Sequence, residues 1–242
     1  MTILRKIKEL VRENREYHQE TQLMLKELHW ADIYHDSIRG TEWLEKLPLN
    51  IGRWAGGYSF FYILNRVLKD YKPEKILELG LGESSKFISA YADNNDEIKS
   101  HTIIEQNVEW KNSFEKQHTL SKKSLINICE VQNKEVQGFQ TKVFSNLNEK
   151  INLPYDLYVI DGPIGCERYS RYDIIEIAEG FKSKDEFIIV FDDVHREGEM
   201  DTVNDLLKLL KKKEVTVYFN QFLGIKKVFV LATAKFKHVI SI

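Results

Sequence analysis

Residues that brace or staple small secreted domains are scarce here: the 242-residue chain holds two cysteines and four prolines. Cys129 and Cys166 are too few for a disulfide framework and too isolated for a zinc cluster, so both are read as reduced thiols. Charge of one sign is also lacking. Lysine and arginine number 35 against 37 aspartates and glutamates, which leaves no basic arm or face for a nucleic-acid partner. No segment approaches the ~20 apolar residues that span a bilayer, and the first thirty residues carry charges throughout, where a secretory signal would be apolar. These absences point to a cytoplasmic protein with neither nucleic acid nor membrane as partner. What is present is an ordinary balance, 43% hydrophobic and 30% charged. A chain of this length buries roughly 70% or more of its unfolded surface, so a substantial core is available.

The N-terminal segment reads as a separate piece. Ile3, Ile7, Leu10 and Val11 recur at helical spacing, as do Met24, Leu25 and Leu28, among many charged residues. Residues 1–50 are therefore expected to form an amphipathic helical extension, and 51–242 a single domain. The simplest role for the extension is a cap on that domain; the sharper ones are a lid over the active site or a contact that makes a homo-oligomer. The run Asn50 to Ser59, with adjacent glycines at 56 and 57, predicts a loop before the apolar helix pattern of Phe60, Phe61, Leu64 and Val67. Trp54 and Tyr58 in that loop are read as core fillers, with a ligand-pocket wall as the alternative.

From Lys75 onward strand and helix patterns alternate, the signature of an α/β fold with a mainly parallel sheet. Strands are expected near 75–80, 101–105, 125–131, 156–161, 187–192, 215–219 and 227–232, with helices at 84–92, 108–119, 169–181 and 199–213. The last two strands, separated by a short stretch around Gly224, read as an antiparallel hairpin. The segment Lys75 to Glu83, KILELGLGE, is an apolar strand that turns through Gly80 and Gly82 toward a helix, a place where a ligand can lie against bare backbone. Two further strands end in acids, at Asp161 and at Asp192-Asp193. In open α/β sheets ligands sit beyond such carboxyl ends.

The ordered set Glu78-Leu-Gly80-Leu-Gly82, then Glu105 ending the second strand, then Tyr155 to Asp161, resembles the class I S-adenosylmethionine-dependent methyltransferases over roughly residues 50–235. The resemblance implies a Rossmann-like seven-stranded sheet, S-adenosylmethionine as cofactor and transfer of its methyl group to a small-molecule acceptor. It also implies that the glycine turn approaches the methionine part, that Glu105 holds the ribose hydroxyls, and that Asp161 lies beside the transferred methyl. Glu78, Gly80, Gly82, Glu105 and Asp161 are the cofactor candidates, with Ser84 and Ser85 as further contacts or as caps of the following helix. An ionised carboxylate suits a vicinal diol, since it accepts two charge-assisted hydrogen bonds.

Asp161, Asp192 and Asp193 form an oxygen-rich set suited to Mg2+ or another hard divalent cation. It is similar to the site of metal-dependent catechol-type O-methyltransferases, although those carry Asp-Asn where this chain has Asp192-Asp193. A fainter likeness, the DGPIG run at 161–165, is to sugar-carboxylate O-methyltransferases. Without a cation, like charges at close range would raise at least one pKa, so the cluster needs a partner. His195 is a candidate general base beside Asp161, and Arg168 and Arg171 are candidates to bind an anionic group on the acceptor or else pair with nearby acids. Together these residues point to O-methylation of a small polar molecule or sugar derivative by in-line transfer. Two alternatives stand beside it. One is a binding module for S-adenosylmethionine without catalysis. The other is a nicotinamide-dinucleotide oxidoreductase, disfavoured because Ser85 replaces the third glycine of its fingerprint and Glu83 would repel a pyrophosphate at the helix start.

Overall fold

The computed structural model of the chain describes residues 3–242; residues 1 and 2 of the expected extension lie outside it. A single long helix α1 (Ile3–Ile38) is followed by the short α2 (Glu42–Glu45) and a loop to α3 (Tyr58–Arg66). Then come β1 (Lys75–Leu79), α4 (Glu83–Asn94), β2 (Ser100–Glu105), α5 (Val108–Gln117) and β3 (Ser124–Ile128). Next are β4 (Val131–Val136), β5 (Phe139–Phe144), α6 (Leu147–Lys150), β6 (Leu157–Ile160) and α7 (Asp173–Glu179). The chain continues through β7 (Ile188–Phe191), α8 (Glu197–Lys212), β8 (Val217–Leu223) and β9 (Lys227–Thr233). Among the described residues no helix is long and apolar enough to cross a membrane.

Seven strands form one sheet in the order β3-β2-β1-β6-β7-β9-β8. β1, β2, β3, β6 and β7 are parallel to one another, while β9 runs antiparallel to both β7 and β8. The Rossmann-like architecture with its terminal hairpin is thus as the sequence indicates, and β9 is inserted inside the edge strand β8. Burial explains that order: β9 is apolar and buried along nearly its whole length, whereas β8 exposes Phe219, Asn220 and Gln221. Strand alternation splits the core in two. Ile76, Leu157 and Val159 face the cluster built on α3 and α4, while Leu77, Leu79, Tyr158 and Ile160 face the one built on α7 and α8. After β3 the chain crosses back to place β6 beside β1, so the sheet's direction of growth reverses between those strands. That reversal is where an open α/β sheet leaves a crevice for a ligand.

One element departs from the expected pattern. The expected third strand, 125–131, ends at Ile128, and β4 and β5 then form a separate two-stranded sheet. Its turn residues Gln137 and Gly138 both have positive φ, 51° and 84°, as a two-residue hairpin requires. Thr141 Oγ1 donates to the Tyr169 carbonyl at 2.7 Å, and the Phe144 amide donates to Asp173 Oδ1 at 2.7 Å, which fasten the hairpin to the body. The expected helix 169–181 is correspondingly shortened to start at Asp173.

Asp173 is fully buried, and its second oxygen has no partner. Burial pushes its carboxyl from 3.8 up to about 7. A folded-state pKa above the unfolded value means that the native state holds the proton more tightly. The resulting stability is complete below pH ~4 and is lost as pH rises through 7. Asp173→Asn keeps the oxygen that accepts from Phe144 and carries no charge. It is expected to exceed the wild type in stability by on the order of 1–3 kcal/mol at pH 8, with the difference closing toward pH 4, as read by urea unfolding at both pH values.

Candidate functional site

The glycine bend follows β1 and is fixed from three sides. Gly80 donates to the Ile104 carbonyl at 2.8 Å, Leu81 N donates to Glu105 Oε2 at 3.0 Å, and the Trp110 indole N–H donates to the Leu81 carbonyl at 2.8 Å. Gly80 has φ +104°, and a Cβ there would meet the backbone of Asp161 and Gly162 at 3.2 Å, so the chain ends after β1 and β6 are in contact. Gly82 differs. A Cβ built on it meets nothing within 4 Å. Its bare face opens into a cavity of about 560 Å³ lined by residues 50–56, Leu81, Gly82, Glu83, Ser84, Trp110 and Asp161. The size is that of an ordinary small-molecule site.

Glu105 closes this arrangement from β2. Besides Leu81 N it accepts from the amides of Gln106 and Asn107 at 2.8 and 2.7 Å, which leaves about one of a carboxylate's four lone-pair positions for a ligand. Burial raises its pKa, opposed by those three amides. Past Glu105 lies a second hollow of about 670 Å³, bounded by Gln106, Asn107, Glu130, Val131 and Ile164 among others.

Glu78 takes a different place from that expected of a cofactor contact. Strand alternation sends its side chain inward beneath α4, where it is fully buried; one oxygen accepts from Ser84 Oγ and the other meets His101 Nε2 at 2.9 Å. Glu78 therefore holds the helix start and does not face the cavity. Ser85 is likewise buried and accepts from Gly82 N at 3.1 Å, as a cap does, whereas Ser84 lies on the cavity wall. Glu83 is on that wall too, but its charge is answered by Lys86 Nζ at 2.6 Å, and it accepts from Asn50 N at 3.0 Å. The repulsion expected of Glu83 toward phosphate is correspondingly weakened.

The opposite wall comes from the N-terminal segment. Glu27 of α1 accepts from Tyr58 N at 2.7 Å and from Ile225 N at 2.9 Å, and the Trp30 indole donates to the Leu223 carbonyl at 3.1 Å. Lys86 Nζ reaches the Pro48 carbonyl at 3.1 Å. These bonds place the loop after α2 against the glycine bend. Trp54, read as a core filler, instead stands 97% exposed at the cavity rim, while Tyr58 packs against the core as expected. Nothing in the sequence binds Trp54 to the core, because the surrounding Arg53 and glycines supply no packing partners.

Asp161, Asp192 and Asp193 converge as their strand ends suggest, each offering an oxygen within 4.8 Å of the others. Arg171, expected to bind an anionic group on the acceptor or else to pair with nearby acids, lies among them. Arg171 is 3% exposed; its Nη2 is 2.9 Å from both Asp161 Oδ1 and Asp193 Oδ2, and Nη1 donates to the Asp192 and Ile160 carbonyls at 2.9 and 3.3 Å. Lys226 Nζ adds a second cation, 3.2 Å from Asp193 Oδ1 and 3.9 Å from Asp192 Oδ2. Arg171 and Asp193 both adopt left-handed backbone, φ 58° and 62°, a conformation held only when surroundings dictate it. Burial alone would raise Asp193, yet Arg171, Lys226 and Arg196 hold its carboxyl low. Asp192, deeply buried beside Asp161 with neither oxygen hydrogen-bonded, is pushed up to about 7. Burial also raises Asp161, and Arg171 opposes the shift. A divalent ion bound by Asp161 Oδ1 and Asp193 Oδ2 would lie ~2–2.6 Å from each, the position that the guanidinium nitrogen already fills. Between those two oxygens the guanidinium stands where the expected Mg2+ or related cation would bind, and Arg171 and Lys226 supply positive charge to the cluster.

The remaining candidates lie apart from the cavity lining. His195 is on the exposed turn after β7, its pKa lowered by partial burial, and Arg168 is paired with Asp201 through two bonds of 2.5 and 3.0 Å while stacking over Phe139. Arg168 thus takes the ion-pair role that was its simpler reading. Trp110 and Lys226 are the residues that sequence reasoning missed, since each acts through a contact distant in the chain.

No protein-family model matches the sequence, and no curated protein matches it. Among solved structures, an O-methyltransferase from Bacillus cereus in complex with SAH is similar at TM-score 0.50 and 13% identity, covering 84% of this chain and 90% of that one. A candidate caffeoyl-CoA O-methyltransferase from Staphylococcus aureus is similar at TM-score 0.50 and 14% identity, with coverage of 86% and 99%. At such identity the likeness speaks to architecture alone: the chain shares the fold of these two O-methyltransferases.

Proposed function

We propose that the chain is an S-adenosylmethionine-dependent methyltransferase acting on a hydroxyl or carboxylate oxygen of a small polar acceptor. The observation that carries this reading is the open face of Gly82, on a bend hydrogen-bonded to Glu105, with Asp161 on the wall of the same cavity. Gly82 and Ser84 would hold the amino-acid end of the cofactor, Glu105 one ribose hydroxyl through its remaining lone-pair position, and the hollow beyond Gln106 the base. When bound, the cofactor supplies a methyl group already activated on sulfonium and leaves as a neutral thioether.

The protein's tasks are then to align the acceptor oxygen and, where that oxygen is a hydroxyl, to remove its proton. Asp161 is the group placed for the second task. Its side chain is 27% exposed, and its raised pKa makes it a stronger base than an ordinary aspartate. Arg171 fixes its orientation and balances its charge. His195, outside the lining, is not needed for this step.

Titration calorimetry with S-adenosylmethionine, S-adenosylhomocysteine and a nicotinamide dinucleotide tests the cofactor, and methyl release over a panel of hydroxy and carboxy acceptors tests the reaction. Binding of the first two with methyl release supports the proposal. Binding without release on any acceptor favours the non-catalytic module, and preference for the dinucleotide overturns the reading. With an accepted substrate, Asp161→Asn is expected to lower kcat about a hundredfold and to leave S-adenosylhomocysteine affinity within a few-fold.

A further inference from the structure

The first half of α1 stands away from the body. From Ile3 to Glu20 nearly every described side chain is exposed, although Ile3, Ile7, Leu10, Val11 and Tyr17 are large and apolar, between 48% and 78% exposed. A lone helix of that length is marginal in water, so a helix built this way needs a partner along its apolar stripe.

The spacing of the stripe says what kind. Ile3, Leu10, Tyr17 and Met24 alternate with Ile7, Asn14, Thr21 and Leu28 at steps of four and three, the a and d positions of almost four heptads. Met24 and Leu28 remain 56% and 65% exposed, so the stripe is open along its whole length of about 39 Å.

We infer that a second copy of the chain covers this stripe, with the two helices antiparallel. Two features select that occupant. Charge is segregated along the helix: up to residue 15, Arg5, Lys6, Lys8, Arg12 and Arg15 stand with two acids, Glu9 and Glu13, and from 16 to 28, Glu16, Glu20 and Glu27 stand with a single base, Lys26. Antiparallel pairing sets basic half against acidic half, whereas parallel pairing sets like against like. Reversed alignment also matches the stripe to itself, layer by layer: Ile3 on Leu28, Ile7 on Met24, Leu10 on Thr21, and Asn14 on Tyr17. The polar pair falls in the middle, where the Asn14 amide and the Tyr17 hydroxyl satisfy each other and fix the register.

The test is sedimentation velocity of the full chain at 1–100 μM, with Ile7→Lys/Leu10→Glu as the variant and thermal unfolding as the folding control. A wild-type dimer that the double substitution turns monomeric, with its melting temperature unchanged at low concentration, is the expected result. Orientation is read from cross-linking in a Cys166→Ser background. Ile3→Cys with Leu28→Cys should link two chains on oxidation, and Leu10→Cys alone should not. A wild type that stays monomeric at 100 μM overturns the pairing; if that monomer instead sediments with anionic phosphatidylserine vesicles, the stripe belongs to a lipid surface. Efficient Leu10→Cys linkage overturns the antiparallel arrangement, and a dimer indifferent to the double substitution places the interface elsewhere.

Discussion

Gly82→Val is expected to raise the dissociation constant for S-adenosylhomocysteine at least about a thousandfold, roughly 4 kcal/mol or more, with the fold intact. Two facts separate the effects. The backbone at Gly82, φ −170° and ψ −147°, is outside the positive-φ region where a side chain is most strained. A Cβ there would meet no protein atom within 4 Å, so the new side chain projects into the cavity and not into the core. The structural cost is limited to a poorer residue at the start of α4, about 1 kcal/mol or less. Calorimetry for affinity and urea unfolding for stability check both halves. A variant that binds within tenfold of wild type would mean that the ligand does not lie against this bend.

Arg171→Met should have the largest effect on stability. Its guanidinium touches Asp161 and Asp193 at 2.9 Å, and Glu199, whose oxygens accept no hydrogen bond, lies 3.8 Å from Nε and 3.5 Å from Arg196 Nη1. Removing one member of a buried charge network while leaving the others costs about 3–5 kcal/mol. The cost depends on pH with a definite sign. Loss of the cation raises Asp161 further and takes away the first of the charges that hold Asp193 low, so the deficit is small where these two acids are protonated and grows as pH rises and both ionise. Asp193→Asn in the same chain should recover part of it. Millimolar Mg2+ should raise the melting temperature of Arg171→Met, where the cation position is vacated, and leave the wild type unmoved. Stabilisation of the wild type by Mg2+, together with loss of its turnover in a chelator, would show that a metal and not Arg171 serves the cluster.

What was legible in the sequence were the features that depend on local order. The apolar strands that end in Gly80, Glu105, Asp161 and Asp192 declare both the parallel sheet and the edge at which its ligand-facing residues collect. The convergence of Asp161 with Asp192 and Asp193 follows from β6 and β7 being neighbours in register. Less legible was direction across a strand. Period-2 alternation buries Glu78 between His101 and Ser84, but a carboxylate so close to the glycine turn reads as a ligand contact until the helix packing above it is known. The hairpin of β4 and β5 was obscured because its strands are mostly polar and half-solvated, leaving only Gln137-Gly138 as a turn signal. Arg171 illustrates a third limit. Its position ten residues after Asp161 gives no hint that a left-handed backbone turn returns it to the acid, since that return is dictated by acids from two other elements.

Glu27 grips two loops with one carboxylate. Gly57 and Gly224 leave it room: a Cβ on either would fall 2.8 or 2.3 Å from a Glu27 oxygen. One of those loops carries the rim of the cavity, and the other carries Lys226, a counterion of Asp193. A small rotation of the long N-terminal rod would therefore act as a lever, shifting the doorway and the electrostatic balance behind it in the same stroke.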